Sequence, residues 1–449
     1  MEKILNTPCG MIKGIKENDS KVISYKGIRY ATAKRFEYPT IVEKWDGIYD
    51  ATNFGNCSYQ PRAFYDEKEM VKKVFYYNEF RKDEQYTYSE DCLFLNIWTK
   101  DSEEKSDLLP VIIYIHGGGF TGGCGHEKHF KTPKWPLKDV IAVTINYRLG
   151  PLGFACIQDF KDDEGVVGNY GLYDQLTAIK WVKNNIESFG GNPNNITIMG
   201  QSAGAMSVQH LCLSSLTKGL FTKAVMSSGG GVSKLLATPK PEKRYKLWEK
   251  VKEISKVQTY EELKTIPVEQ LFESFDKARK ELKIMGMPAS PVVDGKLITN
   301  NVELEYAINN ISYMVGSNSE DIIPPIIFGM AHKWSSMQKN TCYCWMFDHQ
   351  LPGDDNGAWH SSDLWYWFNT LENCWRPLTE DDYKLSDSMT TYLTNFAKSG
   401  NPNGEGLTTW EATNKKNKKV LHLNQNIKMK KVKKSKLWYN MFTNENVGE

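Results

Sequence analysis

The chain has 449 residues, 40% hydrophobic, 12% aromatic and 24% charged, a composition that supports a large buried core and excludes global disorder. Its 56 Lys and Arg against 54 Asp and Glu leave a net charge of +2, which excludes a dedicated nucleic-acid binder with its marked basic surplus. No apolar run reaches the about 18 residues of a membrane-spanning helix.

The start, Met1 to Gly10, has no apolar signal segment, so a cytoplasmic protein, or a mature form with its signal removed, is expected. Apolar runs bounded by turn residues predict strands at Val22–Ala31, Cys92–Thr99, Val111–Ile115, Val140–Tyr147, Ile196–Met199, Ala224–Ser227 and Tyr313–Val315. Over Tyr173–Phe189 the residues Leu176, Ile179, Val182 and Ile186 recur at helical spacing, and Gly190-Gly191-Asn192-Pro193 ends that helix. Strands alternating with helices predict an α/β fold with an open, mostly parallel twisted sheet covered on both faces. Lys240–Leu282 breaks the alternation. It is rich in Lys and Glu and predicts two or three surface helices, an insertion over 240–285 that is either a cap near a site or a plain structural excursion. Asn414–Lys436 holds ten lysines and no acid. Interleaved Val420, Leu421, Leu423, Leu437 and Trp438 suit strands with one wet face, so the lysines read as solvated.

Nine cysteines are scattered without a C-x-x-C pair, so neither a zinc knuckle nor a thioredoxin-type site is indicated. Cys342 and Cys344 share one face of a strand predicted over Cys342–Phe347 and read as small core residues. A reducing compartment is the simplest setting.

Two glycine-rich turns carry the chemistry. Gly200-Gln-Ser202-Ala-Gly204 follows a predicted strand and opens a predicted helix. G-x-S-x-G there is a nucleophile elbow, in which a strained turn presents the serine and needs residues without Cβ on either side. The helix N-terminus then favours a developing oxyanion. Val111–Ile115 runs into His116 and then Gly117-Gly118-Gly119, where bare backbone N–H groups can converge on one oxygen. His116, beside the glycines, reads as a brace for that loop.

With these turns the sequence resembles the type-B carboxylesterases, the branch of the α/β-hydrolases that includes cholinesterases and bacterial para-nitrobenzyl esterases, and it reads as a bacterial member. Tyr25-Lys-Gly-Ile-Arg-Tyr-Ala31 is similar to the family's GIPYA segment, and Glu90-Asp-Cys-Leu-Phe-Leu-Asn96 to EDCLxLN. Asn146–Gly150, Gly168–Gln175, Phe189–Pro193, Gly200–Gly204, Ser228-Gly229, Pro291–Gly295 and Phe396–Asn403 follow in the family order. The resemblance implies one α/β-hydrolase domain over 1–449 and an enzyme that hydrolyses a small-molecule carboxylic ester without metal or organic cofactor. Nucleic acid is not an implied partner, and oligomeric state is left open.

Carried onto this chain, the resemblance makes Ser202 the nucleophile and His360 the general base, since Gly357-Ala-Trp-His360-Ser-Ser-Asp-Leu364 is similar to the family's H-x-x-(E/D)-L with its following aromatics. His349 reads as a surface-loop histidine. The acid falls five residues after Gly316, at Asp321, where the family usually has Glu; the adjacent Glu320 is the alternative. Gly118, Gly119 and Ala203 match the oxyanion positions, and Ser228 a serine that supports the triad. Cys57 and Cys92 match a disulfide of secreted relatives and are expected to stay reduced here. The stretch between acid and histidine is shorter than usual in the family. The pocket is therefore either more open or walled by Trp359, Trp365, Trp367 and the Phe64–Tyr88 region. The same machinery would serve thioesters, carbamates or lactones, and a non-catalytic binding module is the remaining alternative.

Overall fold

A computed structural model describes residues 1–17, 20–69, 74–101, 107–131, 133–231, 238–299 and 311–432. Leu437 and Trp438 lie outside the described residues. Its frame is one large sheet. The strands are β1 (Glu2–Thr7), β2 (Gly10–Lys16), β3 (Val22–Arg29), β4 (Phe94–Lys100), β5 (Leu109–Ile115), β6 (Ile141–Ile145), β7 (Gly191–Gln201), β8 (Lys223–Ser227), β9 (Ser312–Asn318), β10 (Cys342–Phe347), β11 (Lys419–Leu423) and β12 (Lys428–Lys431). They lie in the order β1-β2-β3-β4-β6-β5-β7-β8-β9-β10-β11-β12.

From β6 through β11 every pairing is parallel. Both flanks are antiparallel: β1 to β4 with β6 at one edge, and β11 with β12 at the other. The parallel strands read as continuous apolar runs because both faces are covered. On β5, Val111, Ile113 and Ile115 enter one core while Ile112 and Tyr114 enter the other, as pleat alternation requires. The first core is closed by Leu176, Ile179 and Val182 of helix Tyr170–Asn185 and by Val208 and Leu211 of helix Ala203–Leu213. The second is closed by Met389, Leu393 and Phe396 of helix Glu380–Ser399 together with Trp135 and Trp345. Each such side chain contributes about 1.5–3 kcal/mol by leaving water.

One buried ion pair ties the sheet to its helical layer. Arg148 donates from Nε and Nη2 to the Asp174 carboxylate at 2.9 and 2.7 Å, and from Nη1 to the Glu37 carbonyl at 2.8 Å. The insertion folds as helices Glu242–Ile254 and Val268–Glu281 with a short 3-10 turn at Glu261–Lys264 between them. Leu247, Trp248 and Val251 of the first and Leu271, Phe272 and Phe275 of the second face the core. Arg35 fastens this unit: it donates to the carbonyls of Leu263 and Ile266, both at 2.8 Å, while its other nitrogens hold Glu90.

Among the described residues no helix is long and apolar enough to cross a membrane. The lysine-rich segment supplies β11 and β12, with Val420, Leu421 and Leu423 buried beneath them.

Candidate active site

The carboxyl ends of β5, β7, β8 and β9 open on the same edge of the sheet, where ligands bind in open α/β folds. Ser202 follows β7 directly and precedes helix Ala203–Leu213. Its backbone is at φ 56° and ψ −125°, a strained conformation for a residue with a Cβ. The turn is locked from β8, as the Ser202 N–H donates to the Ser227 carbonyl at 2.9 Å. Gly204 is required by close approach: a Cβ there would stand 2.0 Å from the Ile115 carbonyl oxygen. Ser202 is half-buried, and its hydroxyl forms no hydrogen bond with any described residue.

The glycine turn lies against this elbow. A Cβ on Gly117 would approach the Ser202 Cβ to 3.0 Å. Gly118 sits at φ +105°, and a Cβ on it would meet the Gly122 oxygen at 2.1 Å. The Gly118 carbonyl accepts from the N–H groups of Thr121 and Gly122, which closes the turn. The N–H groups of Gly118, Gly119 and Ala203 donate to no acceptor among the described residues. His116 is buried behind them. Its ring stacks on Tyr147 at 4.5 Å, Nδ1 lies 2.9 Å from the Gly117 carbonyl, and burial lowers its pKa. It braces the loop and does not touch His360.

His360 and Asp321 meet, with 2.5 Å between imidazole Nδ1 and carboxylate Oδ1. The same oxygen accepts the Ile322 N–H at 2.8 Å. Burial pushes the Asp321 carboxyl up, yet the His360 bond, its charge and the neighbouring Ser228 hydroxyl bring it below its ordinary value. Ser228 Oγ is buried beside that carboxylate and has no other partner among the described residues. Glu320 points elsewhere. Its N–H donates to the Ala358 carbonyl at 3.1 Å, and its exposed side chain passes over Gly357.

Residues that sequence reasoning did not assign complete the arrangement. Gln201 Nε2 lies 3.2 Å from His360 Nε2. Asp363 is fully buried and accepts from Ser227 Oγ at 2.6 Å, Trp367 Nε1 at 3.1 Å and Asn318 Nδ2 at 3.2 Å. Burial raises its pKa, against the pull of the Ser227 and Asn318 bonds. Asn318 Nδ2 also donates to the Trp359 carbonyl at 2.6 Å, so the segment before and after His360 is pinned to β8 and β9. Asp363 stood in the H-x-x-(E/D)-L pattern; Gln201 stood in the elbow, where its type carried no signal.

Two expectations are corrected. Trp365 and Trp367 do not wall a pocket: both are fully buried in the second core. Trp359 instead packs on Phe75, Tyr76 and Phe80, at 5.1, 5.8 and 5.6 Å between ring centres, and these three lie on helix Val74–Phe80. His349 is not a surface histidine, since it is buried with Nε2 2.7 Å from Asp382 Oδ1. Cys57 and Cys92 are both free and do not face each other, as Cys92 lies by Ser58 while Cys57 Sγ faces His126.

A strained serine on a strand-to-helix turn, a bare glycine loop beside it and an acid–imidazole pair at one edge of a mixed sheet define an α/β-hydrolase. The carboxylesterase family profile matches residues 1–331 and 326–439. The chain belongs to that family and is a hydrolase. It is 29% identical over 489 residues to a para-nitrobenzyl esterase of Bacillus subtilis (strain 168), covering 95% of each chain. A thermophilic para-nitrobenzyl esterase superposes with a TM-score of 0.84 at 28% identity, over 98% of this chain and 100% of the other. A Geobacillus stearothermophilus carboxylesterase superposes with a TM-score of 0.78 at 25% identity, over 95% and 97%.

Proposed function

We propose that the protein is a serine carboxylesterase that hydrolyses a small ester through an acyl-enzyme. Ser202 Oγ attacks the ester carbonyl, and His360 Nε2 takes its proton. Asp321 accepts from Nδ1, orients the ring and stabilises the imidazolium, while Ser228 steadies that carboxylate. The N–H groups of Gly118, Gly119 and Ala203 receive the oxyanion; losing one such donor costs about 10²–10³ in rate. His360 then protonates the leaving alkoxide, and water repeats the cycle on the acyl-enzyme. Attack requires His360 Nε2 to exchange its Gln201 contact for the neighbouring Ser202 hydroxyl.

The observation that carries this reading is the 2.5 Å contact of Asp321 with His360 at the sheet edge that also presents the strained Ser202 turn. The family match extending to residue 439 supports a single hydrolase unit over 1–449. The Arg35 clasp supports reading the 240–285 helices as a fixed cap near the site. Nine free cysteines suit a reducing cytoplasm.

Para-nitrophenyl acetate and butyrate test the reading directly. Turnover by the wild type and its loss in Ser202→Ala are expected. No turnover on short acyl esters, or full activity in the variant, would remove the assignment.

A further inference from the structure

Beyond the glycine turn lies a second group of reactive side chains that the hydrolytic cycle does not use. Cys57, Cys124 and His126 are all buried, and their donor atoms lie within 4.8 Å of one another. Cys57 Sγ is 3.6 Å from His126 Nε2. Zinc binds thiolate at about 2.3 Å and imidazole at about 2.0–2.1 Å, which at a tetrahedral angle places the two donors about 3.6 Å apart. The sulfur and nitrogen therefore already stand at the spacing of one edge of a coordination polyhedron.

The backbone holds the donors in place before any ion arrives. Gln60 bonds Gly123 twice, accepting its N–H at 2.9 Å and donating to its carbonyl at 3.1 Å. Asn146 accepts the Gly125 N–H at 2.7 Å and donates to the Asn56 carbonyl at 2.9 Å. Cys124 is thus fixed on both sides, and one asparagine links its segment to the residue before Cys57. The His126 ring stacks on Phe54 at 4.6 Å and 8°, which sets its plane. Its Nδ1 meets no described partner, so Nε2, toward the sulfur, is the engaged nitrogen.

The charges also close. Arg62 Nη2 lies 4.0 Å from Cys124 Sγ, and its Nη1 is paired with Glu127 Oε1 at 2.6 Å, so the nearest fixed charges cancel. Two thiolates and a divalent cation add no net charge to this buried site, which avoids the cost of an unpaired ion.

We propose that Cys57, Cys124 and His126 bind one divalent ion of the zinc class, fastening the segment after the glycine turn to the chain at Cys57. Binding exchanges two S–H bonds for two S–metal bonds and releases two protons, with no change of oxidation state. His126 gives the Nε2 lone pair and keeps its proton on Nδ1. A water molecule takes the fourth position of a tetrahedral ion.

The test uses the full chain, purified under a phosphine reductant, equilibrated with zinc sulfate or cobalt chloride and then desalted. Expected are one retained ion per chain by elemental mass spectrometry, a thiolate-to-cobalt charge-transfer band and two protons released per ion. Cys57→Ser and Cys124→Ser each lower zinc affinity by at least about a hundredfold, since even outer-shell changes cost 10–100-fold. Cys344→Ser, a core cysteine on β10, binds as the wild type does. A wild-type protein that retains no ion or shows no charge-transfer band overturns the site, whether or not the serine variants fold. Undiminished binding by Cys57→Ser and Cys124→Ser overturns it too, as does a Cys57–Cys124 disulfide in protein purified without reductant. None of these readouts depends on ester hydrolysis, so the site and the esterase reading fail separately.

Discussion

Gln201 Nε2 stands 3.2 Å from His360 Nε2, on the ring nitrogen opposite the one that meets Asp321. An amide N–H needs a lone pair to donate to, so this contact places the imidazole proton on Nδ1, where Asp321 accepts it. That is the tautomer a general base requires. Gln201→Glu replaces the donor with a carboxylate that favours the imidazolium. On para-nitrophenyl butyrate at neutral pH, kcat/KM is expected to fall by about tenfold or more, because the carboxylate accepts where the amide donated. An unchanged kcat/KM would show that Gln201 does not govern the ring.

Asp321 and Glu320 are neighbours with opposite directions. Asp321→Asn is expected to lower kcat by about 10⁴ through the wrong tautomer, while Glu320→Gln stays within about twofold. Steady-state kinetics on para-nitrophenyl butyrate separates them. A collapse in Glu320→Gln alone would reverse the assignment.

The same carboxylate links stability to acid. Its folded pKa lies below the ordinary 3.8, because the His360 bond outweighs burial. Its contribution is therefore present above the unfolded pKa and lost as pH falls through the lower folded value. The Tm gap between wild type and Asp321→Asn should be constant near neutrality and narrow below pH 3.8. A gap that widens in acid would give the wrong sign.

Gly118→Ala adds a Cβ 2.1 Å from the Gly122 oxygen at a positive φ, so the turn must open. A fall in kcat of about 10²–10³ is expected, with a smaller change in KM. Unchanged kcat would show that this turn carries no charge in the transition state.

Arg148→Met leaves the Asp174 carboxylate buried without its partner. Thermal and denaturant unfolding should show a loss of about 3–5 kcal/mol. A loss within about 0.5 kcal/mol, the range of ordinary surface substitutions, would place the pair among bystanders.

Much of the site was legible because its demands are local. Ser202 and the glycines announce themselves through backbone conformations that few residue types tolerate, and His360 through the residues that follow it. Asp321 against Glu320 turns on the direction of one side chain, which alternation poses but only the fold answers. The positions of β3 to β10 followed from apolar runs; β1 and β2, partly exposed and without such a run, did not, nor did the antiparallel direction of β1 to β4, since hydropathy has no sense of direction. Gln201 and His349 were opaque for another reason. Each matters through a partner far away in the chain, at His360 and at Asp382, and neither pairing leaves a periodic trace.

The anchoring of His360 by Asn318 and Asp363 has a lasting consequence. Trp359 is bound to β9 and Asp363 to β8, so the imidazole keeps its address when the exposed turn at Asp355 and Asn356 changes. That turn can lengthen, shorten or change character without dislodging the ring. It is where a lineage, or an engineer, can reshape the approach to the chemistry while leaving the chemistry alone.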